Sequence, residues 1–72
     1  MNESFIYNCV HKYRRARRQT QKDVILHAVG VHAELIEKQR SPLPTLTPEQ
    51  RKTIIDFVND FLKSQGFTTL IQ

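Results

Sequence analysis

The residues of this chain that are best suited to bind a charged partner are concentrated in one short stretch of positively charged side chains. Positions 12 to 22 contain no acidic residue, and their positively charged side chains are Lys12, Arg14, Arg15, Arg17, Arg18 and Lys22. A guanidinium group donates parallel hydrogen bonds to a phosphate or a carboxylate, and the adjacent Gln19, Thr20 and Gln21 add neutral donors and acceptors. The pattern therefore predicts that these six cations bind a polyanion.

The rest of the chain does not share this excess of positive charge. Residues 1–19 carry five cations against one acid, Glu3, whereas residues 20–40 and 41–72 are each neutral. The whole formal net charge of +4 therefore belongs to the first segment. Such a local excess on a neutral body is typical of a protein that binds nucleic acid or another polyanion.

Residue types that serve catalysis or metal binding are few, and their spacing fits neither role. Cys9 falls on the predicted apolar face of the first helix, where a buried structural thiol is expected. His27 and His32 are five residues apart and point away from each other on a continuous helix, whereas metal-binding histidines usually sit three or four apart. The sequence contains no glycine-rich phosphate loop and no serine elbow. We therefore expect a protein that is not an enzyme and has no cofactor, metal ion or small-molecule substrate.

The cations must be positioned by helices, because the apolar residues recur with helical spacing throughout the chain. We predict a compact all-α domain spanning residues 1–72, with three helices at about 4–18, 21–40 and 48–65. A proline-rich connection, Ser41 to Leu46, separates the second helix from the third. Thr47, Pro48 and Gln50 predict a capping box at the start of the third helix, and Gly66 is the expected residue just beyond its end.

The first predicted helix is amphipathic. At 100° per residue its apolar side chains share one side, and Lys12, Arg14, Arg15 and Arg18 share the other, with His11 among them. Arg17 lies nearer the apolar edge, so we expect it to be partly structural. In the second helix, the predicted apolar stripe is Val24, Ala28, Val31 and Leu35, widened by Ile25, Val29 and Ile36, and Gly30 lies on its polar side.

Two motifs offer more specific interpretations. The stretch from Tyr13 to Lys22 is similar to the arginine-rich peptides with which phage antitermination proteins grip RNA hairpins, although those proteins lack a helical body of this kind. Residues 28–31, Ala-Val-Gly-Val, resemble the turn of a helix-turn-helix motif, in which the glycine ends the first helix. Against that alternative, Glu34 and Glu37 would face phosphates on the would-be recognition helix. One long second helix that continues through Gly30 is the favoured interpretation.

Size and composition set the remaining expectations. A chain of 72 residues with 39% hydrophobic content builds only a small core, so a homodimer or another partner is expected to cover leftover apolar surface. The sequence has neither a membrane span nor a signal peptide, and its single cysteine cannot form an internal disulfide. We therefore expect a cytoplasmic protein with no membrane partner.

Two functions remain open at this stage. The first is a small regulatory protein that contacts nucleic acid through its arginine-rich helix face, for example in transcription regulation. The second is an adapter or inhibitor, of the accessory kind found in phages and bacteria, whose basic face docks on an acidic protein surface.

Overall fold

A computed structural model describes residues 3–72 and contains three helices: α1 (Glu3–Arg15), α2 (Gln19–His32) and α3 (Pro48–Ser64). The described residues form no strand, and α2 packs against both of the other helices. The radius of gyration is 11.4 Å, close to the roughly 11 Å expected of a compact chain of this length. The predicted all-α three-helix architecture is confirmed.

The first helix ends earlier than predicted, at Arg15 rather than at residue 18. Arg18 is extended, with φ −101° and ψ 143°, and α2 begins at the next residue. The side chain of Gln21 explains the sharp turn, because its Oε1 accepts the backbone N–H groups of Arg17 (3.3 Å) and Arg18 (3.4 Å). These hydrogen bonds satisfy backbone donors that a turn would otherwise leave without partners.

The second helix also ends early, at His32 instead of about residue 40. The chain reverses in a Schellman motif: the N–H of Leu35 donates to the carbonyl of Gly30 (2.8 Å), and that of Glu34 donates to the carbonyl of Val31 (3.1 Å). Glu34 adopts the left-handed conformation with φ 60°, which ends the helix although the residue is not glycine. The prediction that the second helix extends to residue 40 is therefore wrong.

The helix-turn-helix alternative is also wrong in the register that the sequence suggested. Gly30 lies inside α2 rather than after it, and no helix is present among residues 33–47. Its backbone is buried, and a Cβ atom built on it would lie 2.8 Å from the Ile54 side chain and 2.9 Å from that of Ile36. Gly30 therefore faces the interior, not the polar side, and its missing side chain lets Ile36 fold back beneath the helix end.

The buried face of α2 differs from the predicted stripe. The residues of α2 that are buried are Asp23, Leu26, His27, Val29 and Gly30. Ala28 is exposed, whereas Val24 and Ile25 are only half-buried. The two polar residues are buried because each has a partner: Arg51 and Gln19 bond to Asp23, and the Gln39 N–H donates to His27 Nε2 (3.0 Å). Periodicity of apolar residues cannot identify a face that is completed by hydrogen bonds.

The third helix begins as its sequence predicts. Thr47 Oγ1 accepts from the Gln50 N–H (3.1 Å), and Gln50 Oε1 accepts from the Thr47 N–H (2.9 Å). At the other end Gly66 has φ 87°, and the N–H of Phe67 donates to the carbonyl of Leu62 (3.0 Å). Both predicted ends of α3 are therefore confirmed to within a residue.

One core joins all three helices and the last residues of the chain. Its fully buried members are Ile6, Leu26, Val29, Ile54, Val58 and Leu62. Ile71 is buried too, and the Asn59 side chain holds its backbone by accepting its N–H and donating to its carbonyl, both at 2.9 Å. Residues 69–72 therefore contact the helices without forming regular secondary structure.

Candidate functional site: a basic corner and the groove beside it

The six predicted binding residues lie where α1 turns into α2, and we name them the basic corner: Lys12, Arg14, Arg15, Arg17, Arg18 and Lys22. The first three belong to the last turns of α1, Arg17 and Arg18 form the connection, and Lys22 lies in the first turn of α2. All are exposed except Lys22, which is half-buried. All six therefore lie at the α1–α2 turn, but Arg18, which the sequence places on one helix face with Lys12, Arg14 and Arg15, lies beyond the end of that helix. Arg17 is exposed, so its expected structural role is wrong.

One side of the corner is fastened to the end of the chain. The Arg14 guanidinium donates to the carbonyl of Thr69 (2.8 Å), and the Tyr13 hydroxyl donates to the carbonyl of Gln72. The Lys22 ammonium lies 5.4 Å from the centre of the Tyr13 ring. Arg14 and Lys22 therefore have contacts within the chain, with a backbone carbonyl and an aromatic ring, that leave their charges unneutralised.

The other side of the corner faces a groove between α1 and α2. Arg15 lies about 100° around the helix from Arg14, and its Nη1 approaches Nε2 of His11 at 3.4 Å, one turn away. Lys12 and Arg15 line the groove together with His11. Arg17 and Arg18 follow in the connection, and neither lines the groove.

No carboxylate of the described residues lies within ion-pair distance of the basic corner. The two ion pairs among the described residues lie elsewhere: Arg51–Asp23 (2.9 Å) and Lys52–Asp56 (2.8 Å). Asp23 follows Lys22 directly in sequence, yet its carboxylate points to α3, where Arg51 Nε and Nη2 bind both oxygens at 2.9 Å. These hydrogen bonds hold the pKa of Asp23 below its ordinary value, despite the opposing effect of burial. The acid nearest to the corner in sequence is therefore bound to Arg51, and the corner keeps its positive charge.

The groove beside the corner is open to solvent and has a volume of about 560 Å³. Its apolar lining comes from Ala16, Val24, Ile25 and Leu43. Leu43 belongs to the connection between α2 and α3 and is 64% exposed, more than any other large hydrophobic residue of the described chain. No pattern in the sequence predicts this groove, because it depends on the early end of α2, which frees the connection to pass near α1.

The cysteine and the two histidines considered above for catalysis or metal binding have structural roles. Cys9 is buried as predicted, and loss of solvation raises the pKa of its thiol, which disfavours the reactive thiolate. His27 accepts a backbone hydrogen bond, and His32 stacks on Phe5 with ring centres 4.4 Å apart. Residues 3–72 contain no cluster of histidine, cysteine and acidic side chains that suits a metal ion. None of the helices in that range is both long and apolar enough to cross a membrane.

Comparisons of the chain with protein-family models, curated proteins and solved structures found no match.

Proposed function

We propose that this protein is a small regulatory binding protein, without enzymatic activity, that contacts nucleic acid through the basic corner. One observation carries the proposal. Cations from the end of α1, the start of α2 and their connection lie at one turn of the chain, and the acid closest to them in sequence, Asp23, is bound to Arg51 instead. Concentrated positive charge that the fold itself does not neutralise suits a surface lined with phosphates.

The two halves of the corner contribute differently to phosphate binding. Arg15, Arg17 and Arg18 are exposed, and their guanidinium forks are available to bridge phosphate oxygens in pairs. Arg14 and Lys22 are restrained by the Thr69 carbonyl and the Tyr13 ring, so they act as fixed charges that orient the nucleic acid. This chemistry contacts the backbone and provides no base readout of its own.

The proposed setting is the cytoplasm, where thiols such as Cys9 remain reduced. In this setting, phosphate-directed binding of modest sequence preference suits a regulator of transcription or of RNA. The Thr20 hydroxyl lies exposed beside the arginines and is the neutral group best placed to add a contact to a base or sugar, because the Gln21 side-chain oxygen already accepts the N–H groups of Arg17 and Arg18.

Fluorescence anisotropy with labelled duplex DNA, single-stranded DNA and an RNA hairpin tests the proposal. The test variant replaces Arg15, Arg17 and Arg18 with alanine. Arg14 is left in place because its loss would also release the Thr69 contact. We expect the affinity for the preferred nucleic acid to fall about tenfold or more at low salt, because three phosphate contacts are removed.

A matched control removes the same number of exposed cations from elsewhere, through Lys38→Ala, Arg40→Ala and Lys63→Ala. This control lowers the net charge equally, so it separates a local site from general attraction. If the control loses as much affinity as the test variant, or if the wild type binds none of the three nucleic acids, the proposal is wrong.

A further inference from the structure

The groove between α1 and α2 differs from the corner beside it because it combines charge with apolar surface. Val24 and Ile25 stand on α2 outside its buried face and remain half-buried, so the core does not use them fully. Leu43 faces them from the connection. A groove that an isolated chain leaves partly open, between aliphatic side chains, is suited to receive aliphatic groups from a partner.

Leu43 is held in this exposed position by the residues around it. The Gln39 side chain donates to the carbonyl of Thr45 (2.6 Å) and accepts its N–H (3.1 Å), while the Gln39 backbone is bound to His27. Pro44 and Leu46, which follow Leu43, are buried. The connection is therefore anchored on both sides of a leucine that is 64% exposed.

The rim of the groove places positive charge beside this apolar surface. Lys12, Arg15 and His11 line its α1 side, and no acidic residue lines it within the described chain. A segment that enters the groove with carboxylates beside its aliphatic side chains would therefore meet opposite charge along α1.

Nucleic acid fits the groove itself less well than a peptide does. The described lining contains no phenylalanine, tyrosine or tryptophan, and its one ring, that of His11, lies on the cationic α1 side, whereas unstacked bases are usually held between aromatic rings. A base lying on valine, isoleucine and leucine would leave most of its polar edge without partners.

We propose that this groove docks an acidic amphipathic segment of a partner protein. Aliphatic side chains of that segment enter between Ile25 and Leu43, and its carboxylates bind Arg15 and Lys12. Arg17 and Arg18 do not line the groove, so they can bind phosphate while the groove is occupied, and Arg15 borders both surfaces. The protein thereby links a nucleic acid at the corner to a protein in the groove.

The probe for this proposal is a fluorescein-labelled helical peptide with leucine at every third or fourth position and glutamate on the flanking positions. Two further peptides replace the leucines with serine or the glutamates with lysine. We expect only the leucine–glutamate peptide to bind and to shift the amide resonances of Val24, Ile25 and Leu43 in NMR spectra of the labelled protein. Equal binding of the serine peptide would mean attraction by charge alone and would overturn the proposal, as would failure of the leucine–glutamate peptide to bind.

Two substitutions distinguish peptide binding in the groove from nucleic-acid binding at the corner. Leu43→Ser removes an exposed side chain without disturbing the core, and we expect it to weaken peptide binding about tenfold while nucleic-acid binding stays unchanged. Arg15→Glu should also weaken peptide binding, whereas the matched change Lys38→Glu should not. An unchanged peptide affinity in Leu43→Ser contradicts the proposal.

Other occupants of the groove give recognisable results. If an oligonucleotide shifts the amides of Val24, Ile25 and Leu43 and the peptide does not, the groove belongs to the nucleic-acid site and the peptide proposal is wrong. If those amides shift when the protein alone is diluted, a second copy fills the groove, which also overturns it. Peptide binding without any nucleic-acid binding would instead refute only the function proposed for the corner.

Discussion

The two sides of α2 use charge in opposite ways. At its junction with α3, Asp23 is 5% exposed and receives two hydrogen bonds from Arg51 and one from Gln19. At its junction with α1, the arginines of the basic corner are exposed and have no carboxylate partner among the described residues. An arginine with a nearly buried carboxylate stabilises the fold, whereas arginines without one are available to a partner. The charges on the α3 side therefore hold α2 in place, whereas those on the α1 side remain available to a partner.

The largest expected effect comes from removing the acid of the α2–α3 junction. Asp23→Ala deletes three side-chain hydrogen bonds at a nearly buried position, and we expect it to lower the free energy of unfolding by about 2 kcal/mol. Urea denaturation followed by circular dichroism measures the change. Arg51→Ala should also destabilise, because it leaves the Asp23 carboxylate with Gln19 alone. An Asp23→Ala variant as stable as the wild type would contradict the claim that Asp23 and Arg51 stabilise the α2–α3 junction.

A smaller effect is expected from Gly30, on the same side of α2. Alanine normally stabilises a helix relative to glycine by about 1 kcal/mol. Here the new methyl group would press on Ile54, which is fully buried, and on the inner Cγ1 atom of Ile36. Overpacking of this kind costs about 1 to 3 kcal/mol, so we expect Gly30→Ala to destabilise by about 1 kcal/mol. The matched control is Ala28→Gly, the reverse change at an exposed position of the same helix. A Gly30→Ala variant more stable than the wild type would contradict the close packing around Gly30.

Acid should weaken the junction and leave the corner unaffected. The Arg51 hydrogen bonds keep the pKa of Asp23 lower in the folded chain than in the unfolded chain, so the unfolded state binds the proton more readily. The stabilisation by Asp23 is therefore complete above its unfolded pKa, about 4, and is lost as the pH falls through the folded value. The stability difference between wild type and Asp23→Asn should be constant near neutral pH and shrink below about pH 4. A difference that does not change with pH would contradict the role given to the ion pair.

The smallest effect on stability is expected at the corner. Replacing Arg15, Arg17 and Arg18 with alanine removes exposed side chains that have no ion-pair partner, so the free energy of unfolding should change by about 0.5 kcal/mol or less. The same denaturation experiment measures it. A large loss of stability would show that these arginines are structural, and the difference between the two sides of α2 would disappear.

The sequence predicted those elements whose ends are marked by local chemistry. The capping box of Thr47 and Gln50 and the glycine at position 66 set α3 close to its observed bounds. The end of α2 was missed because Glu34, not a glycine, adopts the left-handed conformation there. Helical spacing of Leu35 and Ile36 then suggested a longer helix, although the two residues lie beyond its end and Ile36 folds back towards Gly30.

The candidate site was predicted in composition but not in shape. The excess of cations at residues 12–22 is visible without a structure, and the structure brings them together at a turn. Their division into an Arg14 side and an Arg15 side depends on the Thr69 contact and on the path of Leu43. Both come from distant parts of the chain, which a local pattern of residues does not encode.

The salt dependence of nucleic-acid binding tests the central claim most directly. For duplex DNA, the logarithm of the binding constant falls linearly with the logarithm of salt concentration, with a slope of about −0.9 for each phosphate contact. We predict that the slope becomes shallower by about 2 to 3 when Arg15, Arg17 and Arg18 are replaced by alanine. We also predict that it does not change when Lys38, Arg40 and Lys63 are replaced. Equal slopes for the wild type and the corner variant would contradict the claim that the corner binds phosphates.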